Sequence, residues 1–103
     1  MRYTDDGFEV LRAGDPIATI RWREVSRIRT YKLDLLTTDA ICLLFELGPG
    51  VKPVQVSEEW AGFADIFPRL REQFPTLAED WYLTVMQPAF ERNEAVLFEQ
   101  MQG

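Results

Sequence analysis

The segment from residue 32 to residue 39 carries side chains whose chemistry could support hydrolysis. Two carboxylates held close together, with pKa values shifted apart, can serve as general acid and general base. Asp34 and Asp39 are the loop pair flanked by candidate donors, which belong to Lys32, Thr37 and Thr38. Asp and Thr are also ordinary turn residues, because their side chains bond to nearby backbone groups. We therefore interpret "LDLLTTD" as a hairpin connection and keep hydrolysis by Asp34 and Asp39 as a minor hypothesis.

Other catalytic and metal chemistries lack their usual residues. The chain has no histidine, which is the commonest zinc ligand and the usual general base near neutral pH. Its single cysteine, Cys42, excludes an intramolecular disulfide and lies in an apolar run with no basic neighbour to lower its pKa. Cys42 is therefore interpreted as a small buried hydrophobe. We expect no enzyme activity, no catalytic residue, no metal and no cofactor.

Size and composition indicate one domain, residues 1–103. The chain has 103 residues and a mass of 12.0 kDa, with 47% apolar and 13% aromatic residues. This composition is far from that of disordered segments. A chain of this length buries roughly two-thirds of the surface that its unfolded form exposes. We therefore expect it to fold by itself.

The net charge of −6 is unevenly distributed. Residues 1–54 hold eight acidic and eight basic side chains, whereas residues 55–103 hold nine acidic and three basic ones. An acidic surplus disfavours phosphate groups, so we expect neither nucleic acid nor a membrane surface as partner. The N-terminal "MRYTDDGFEV" lacks the apolar core of a signal peptide, and no apolar run approaches the roughly 18 residues of a membrane span. The expected location is cytoplasmic.

Short β-prone runs dominate the first half of the chain. "GFEVLR" and "PIATIR" flank the turn formers of "AGDP", which predicts a hairpin. In "RWREVSRIRTYK" a basic face alternates with a mostly apolar one, and a local break is expected near "WREV". "DAICLLFEL" is apolar on both faces and predicts the central strand, with "VQV" as a neighbouring strand.

From Ser57, interpreted as an N-cap, the hydrophobic period changes to that of a helix. Large apolar side chains follow at intervals of three or four residues, namely Trp60, Phe63, Phe67, Leu70 and Phe74. We expect this stripe to pack on the central strand, and Pro68 to kink or break the helix. "AEDWYLTVMQ" predicts a short second helix, and "EAVLFEQ" predicts a last strand.

Three phrases carry a family resemblance: "IRWREVSRIRTYKLDLLTTDAICLLFELG", "VSEEWAGF" and "QPAFERNEAVLF". Across most of residues 17–98 the chain resembles short bacterial proteins of unknown function with a pleckstrin-homology-like core. The resemblance implies an α+β fold, in which one main helix packs on a single twisted antiparallel sheet that forms a partly closed barrel. It brings no catalytic residues, and the apparent strand after the helical region departs from the usual order of that fold.

The basic strand suggests phosphoinositide binding, because the resemblance is to a fold that often binds lipid. Its cations are Arg21, Arg23, Arg27, Arg29 and Lys32. Fold alone does not imply function, and outward positions of an antiparallel sheet are ordinarily polar and solvated. We therefore favour solvated positions over a lipid site.

Two further hypotheses accompany the minor hydrolase one. The favoured hypothesis is a non-catalytic module that binds another protein, for example at an exposed sheet edge, as a monomer or weak homodimer. The alternative is an immunity-type inhibitor that neutralises a basic toxin through its acidic charge. Candidate partner-binding residues are Arg27, Arg29, Tyr31, Lys32, Asp34, Leu35, Leu36 and Asp39.

Overall fold

A computed structural model describes residues 1–34, 39–77, 81–82 and 94–99. These residues form a small α+β fold of two antiparallel sheets and one short helix. The elements are β1 (Arg2–Thr4), β2 (Gly7–Arg12), β3 (Asp15–Arg21), β4 (Arg27–Asp34), β5 (Asp39–Glu46), β6 (Val54–Ser57), α1 (Ile66–Gln73) and β7 (Glu94–Glu99). One sheet has the order β1-β2-β3, and the other has the order β6-β5-β4-β7.

The predicted N-terminal hairpin is confirmed as β2 and β3. Its turn residues Ala13 and Gly14 have φ values of 52° and 85°. Positive φ at both positions suits the right-handed twist of the two flanking strands. β1 was not predicted, because it has only three residues. It pairs with β2, and an ion pair between Arg2 and Glu9 at 2.5 Å supports the pairing.

The second hairpin, β4 and β5, confirms the interpretation of "LDLLTTD" as a connection. The two strands pair antiparallel until Asp34 stands opposite Asp39. Residues 35–38, which include Leu35 and Leu36, lie outside the described residues. β5 also pairs with β6, so it is an interior strand of the four-stranded sheet, as predicted.

The expected single, partly closed barrel is wrong, because the strands form two separate sheets. A 3₁₀ turn at Trp22–Glu24, where the break was expected, divides them. The Trp22 N–H still donates to the Asp6 carbonyl beside the first sheet, at 2.8 Å. The Ser26 N–H already donates to the Glu46 carbonyl of the second sheet, also at 2.8 Å. Among the described strands, no backbone pairing joins β3 to β4.

An aromatic cluster joins the two sheets through side chains instead. The Phe8 ring of β2 lies 5.3 Å from both the Trp22 and the Phe45 rings, measured between centroids. Trp22 also contacts Phe74 after α1, at 6.0 Å, and Phe74 contacts Phe98 of β7, at 4.6 Å. The cluster therefore joins β2, the 3₁₀ turn, β5, the end of α1 and β7.

The helix begins later than expected. Ser57 is the last residue of β6, and its Oγ accepts a hydrogen bond from the Glu59 N–H at 3.3 Å within a turn. Gly62 then adopts a left-handed conformation, with φ 86°, which interrupts any helix running from Ser57. Trp60 consequently lies in a turn and is 42% exposed, so its predicted place on the buried stripe is wrong.

The predicted stripe is confirmed in part. Phe63, Leu70 and Phe74 are buried, together with Ile66, which was not predicted. Phe67 is partly buried and packs against this core, with its ring 5.5 Å from that of Trp81. Pro68 is the third residue of α1, where the helix has no need of its N–H, and it therefore neither kinks nor breaks the helix interior.

The C-terminal predictions are partly testable. The predicted last strand is confirmed as β7, which pairs antiparallel with β4. Of the predicted second helix, Trp81 and Tyr82 are helical, and all of its other residues lie outside the described ones. The Glu58 carboxylate accepts hydrogen bonds from the Ile41 N–H, at 2.8 Å, and from the Tyr82 hydroxyl. Burial, reinforced by Glu58, raises the pKa of Tyr82 to about 12.

Gly7→Ala should be strongly destabilising, because a Cβ atom at Gly7 would lie 1.8 Å from the Ile20 carbonyl oxygen. The β2–β3 backbones must separate to admit the methyl group, and we expect a loss of about 3 kcal/mol in the free energy of unfolding, measured by urea denaturation. Gly50→Ala is the matched control, since it has positive φ but open space around it. It should cost about 1 kcal/mol. Equal losses in the two variants would contradict the proposed clash.

Candidate functional site

The side of the four-stranded sheet that faces away from the core, called the outer face below, gathers the predicted basic residues. Ile28 and Thr30 of β4 are fully buried on the core side. Arg27, Arg29 and Tyr31 alternate with them and are partly exposed. Because successive side chains of a strand point to opposite faces, these three residues lie together on the outer face.

Arg27 is neutralised by a neighbouring strand. Its Nε and Nη2 atoms donate to the two carboxylate oxygens of Glu46 on β5, with Nη2 to Oε1 at 3.0 Å. This hydrogen bond lowers the pKa of Glu46. Glu99 stands opposite Arg27 on the other side, on β7. Arg27 therefore has two acidic neighbours and little positive charge left for a ligand.

Arg29 has a different environment, although it lies only two residues away. Its register partners are Leu44 on β5 and Val96 on β7, both apolar. Val96 is 53% exposed, and Leu44 is partly exposed. The Arg29 guanidinium makes no hydrogen bond or ion pair with any residue that the structure describes. Arg29 therefore lies between two aliphatic side chains without an ion pair among the described residues, although its charge also lowers the pKa of Glu46, after the larger effect of Arg27.

Tyr31 bounds this apolar centre on one side. Its hydroxyl is hydrogen-bonded to the side-chain oxygen of Gln55 on β6. Since β5 lies between β4 and β6, the Tyr31 side chain must reach across β5 to make this bond. In the register Tyr31 stands opposite Cys42, which is fully buried. The Tyr31–Gln55 bond therefore spans β5 on the side of Arg29 nearer the second hairpin, and Arg29 itself remains partly exposed.

The structure separates Lys32 from the arginines with which it was grouped. Lys32 stands opposite the buried Ile41 and is only 1% exposed. It therefore lies on the core side, where it interacts with other groups of the protein. Arg21 ends β3, and Arg23 lies in the 3₁₀ turn, so neither belongs to β4. The predicted basic strand reduces to Arg27 and Arg29 on the outer face.

The remaining predicted residues lie at or beyond the second hairpin. Asp34 and Asp39 are register partners at the ends of their strands, which brings their backbones together. The positions of their side chains, and all of Leu35 and Leu36, lie outside the described residues. The structure thus brings together Arg27, Arg29 and Tyr31 from the predicted set.

Sequence reasoning missed Leu44, Gln55 and Val96 as parts of the outer face. Each belongs to a different strand from Arg29, so their proximity depends on strand register. The β4–β7 register also shifts between Ile28 and Arg29, which decides that Val96 stands opposite Arg29. Alternation within β7 indicates which residues share a side, but it carries no information about the partner strand.

Metal-ligand groups and membrane-spanning helices are both absent from the described residues. No group of three or more histidine, cysteine, aspartate or glutamate side chains among them could hold a metal ion. No helix among them is long and apolar enough to cross a membrane.

Comparison with known proteins adds no family to this geometry. No family model, no curated protein and no solved structure matches the chain. Function is therefore inferred from the outer face and its chemistry.

Cys42 should resist a thiol reagent in the native state. It is fully buried, and burial raises the pKa of its thiol, so both access and the thiolate fraction are reduced. We expect labelling by a chromogenic disulfide at pH 8 to be at least about 100-fold slower in buffer than in 6 M guanidinium, as expected for a buried structural thiol. Free cysteine measured in both solutions controls for the solvent. Rapid native labelling would contradict burial and restore Cys42 as a candidate nucleophile.

Proposed function

We propose that this chain is a non-catalytic protein-binding module of the pleckstrin-homology-like kind, and that its outer face is the binding surface. The observation that carries the proposal is Arg29, which stands between Leu44 and Val96 and whose guanidinium has no ion-pair partner among the described residues. Arginine and tyrosine beside apolar groups are the composition typical of the centres of protein interfaces. The α+β architecture of antiparallel sheets with a short helix is compatible with the proposed kind of fold.

The outer face suits a protein better than a lipid. A partner that covers Leu44 and Val96 must also supply an acceptor for the Arg29 guanidinium, because a buried unpaired charge is costly. A protein surface offers an apolar side chain and a carboxylate or carbonyl group side by side. An anionic lipid surface is usually bound by several cations together, whereas Glu46 neutralises Arg27 beside Arg29.

The alternative function, inhibition of a basic toxin in the manner of immunity proteins, rests on a separate observation. The net charge is −6, and the whole surplus lies in residues 55–103. Such a surplus accelerates association with a basic protein and favours it over acidic competitors. This alternative requires binding through acidic surface, whereas the favoured proposal requires Arg29.

Arg29→Glu should abolish partner binding at the outer face. A photo-crosslinking amino acid placed at Val96 should form one discrete protein adduct in the native cell. Arg29→Glu should lower the adduct yield at least about tenfold, since a central interface arginine is typically worth more than 1 kcal/mol.

Two controls make this experiment specific. The same photo-crosslinker at Ile17, which is 59% exposed on the other sheet, should give no such adduct. Arg71→Glu on the exposed side of α1 makes the same charge change away from the outer face and should leave the yield unchanged. Equal adducts at Ile17 and Val96, or equal loss with both glutamate variants, would refute the proposed surface.

The protein should not bind phosphoinositide vesicles at physiological salt. Only Arg29 offers an unpaired cation on the outer face among the described residues, and the Debye length of roughly 8 Å screens more distant arginines. Sedimentation with vesicles that contain or lack phosphoinositides measures the fraction of protein that is bound. Specific binding that Arg27→Glu/Arg29→Glu abolishes would favour the lipid function instead.

A further inference from the structure

A cleft of about 470 Å³ lies between the β1–β2 turn and α1, away from the outer face. Its walls include Tyr3, Asp5, Trp22, Pro68, Arg69 and Glu72. Tyr3 belongs to β1, Asp5 to the β1–β2 turn and Trp22 to the 3₁₀ turn, and the other three residues belong to α1. The cleft thus forms where the helix meets the first sheet, at the edge of the aromatic cluster.

The aromatic wall of the cleft is held in place by the fold. The Tyr3 hydroxyl donates to the Gly62 carbonyl at 2.8 Å. The Arg69 guanidinium carbon lies 4.3 Å from the centre of the Tyr3 ring, and Arg69 Nη1 donates to the Asp65 carbonyl at 2.9 Å. Arg69 is therefore already bound to the protein, through an aromatic ring and a backbone acceptor.

Trp22, which also lines the cleft, carries a hydrogen-bond donor that no described residue engages. It is only 6% exposed, yet its indole N–H has no hydrogen-bond acceptor among the described residues. Buried indole N–H groups ordinarily find an acceptor. Because Trp22 lines the cleft, a molecule bound there would bring a hydrogen-bond acceptor to the indole N–H.

The rim of the cleft is acidic. Neither Asp5 nor Glu72 makes an ion pair or hydrogen bond with any described residue. Burial raises the pKa of Tyr3 to about 12, and at this hydroxyl the negative charge of Asp65 acts more strongly than the positive charge of Arg69. The lining of the cleft therefore carries two carboxylates, Asp5 and Glu72, against the single guanidinium of Arg69.

We propose that the cleft binds an arginine residue of a basic protein partner. The guanidinium would pair with Asp5 and Glu72 at the rim, because this planar cation bonds carboxylates in a forked geometry. The main-chain carbonyl of the same residue would provide an acceptor for the Trp22 N–H. Lysine has the charge but lacks the planar fork, and an acidic residue would be repelled.

The test uses the blocked tripeptide acetyl-Gly-Arg-Gly-amide as probe, with its lysine and glutamate analogues, at constant ionic strength. Amide shifts of residues 3–6 and 69–73 in ¹⁵N–¹H spectra should saturate with the arginine peptide at millimolar concentration. Asp5→Asn/Glu72→Gln should weaken this binding at least about fivefold. Asp15→Asn/Glu24→Gln removes two exposed charges outside the cleft lining and should leave binding unchanged.

The outcomes separate this inference from the proposed function. Arg29→Glu should not alter peptide binding, because the outer face is not involved. Absence of saturable shifts in the cleft, equal weakening by both double variants, or equal binding of the glutamate peptide would overturn the proposal. Equal binding of the lysine peptide would overturn the preference for arginine. Preserved spectral dispersion shows that each variant is folded.

Discussion

Aromatic packing around Trp22 is the interaction on which the rest of this fold depends. The two sheets share no backbone pairing among the described strands, so their relative position is set by side chains. Trp22 lies at the turn between the sheets and contacts Phe8 of the first, Phe45 of the second and Phe74 beyond the helix. Large rings bury much apolar area and pack in defined geometries, so one residue can orient three elements. The 3₁₀ turn presents Trp22 to all three.

This arrangement gives the four-stranded sheet one side that is packed into the core and one side that is partly exposed. The core side is covered by packed side chains, and even Lys32 is buried there. Only the outer face and the strand edges remain available for a partner. On that face the neighbouring strands decide what each arginine can do, since β5 offers Glu46 to Arg27 but Leu44 to Arg29. Two residues of the same type, two positions apart, thereby have different environments, since Arg27 is ion-paired and Arg29 is flanked by apolar residues.

The two proposed binding surfaces have opposite chemistry. The outer face presents a cation between aliphatic groups, whereas the cleft presents carboxylates beside aromatic rings. The uneven charge along the sequence does not map simply onto them, because Asp5 of the neutral first half joins Glu72 of the acidic second half. A partner that used both surfaces would carry acidic and basic groups at separate positions, which favours selective recognition over simple charge attraction.

Local periodicity determined much of this fold from the sequence alone. Alternating apolar residues and turn formers predicted both hairpins and β7, because side-chain direction along a strand depends only on the strand itself. The helix was predicted in part, but the left-handed Gly62 moved its start and exposed Trp60. Only the tertiary structure decided the two-sheet architecture, the cleft and the lack of an ion pair at Arg29 among the described residues. Each depends on strand register or on contacts between distant segments, and the pattern within one segment does not specify these pairings.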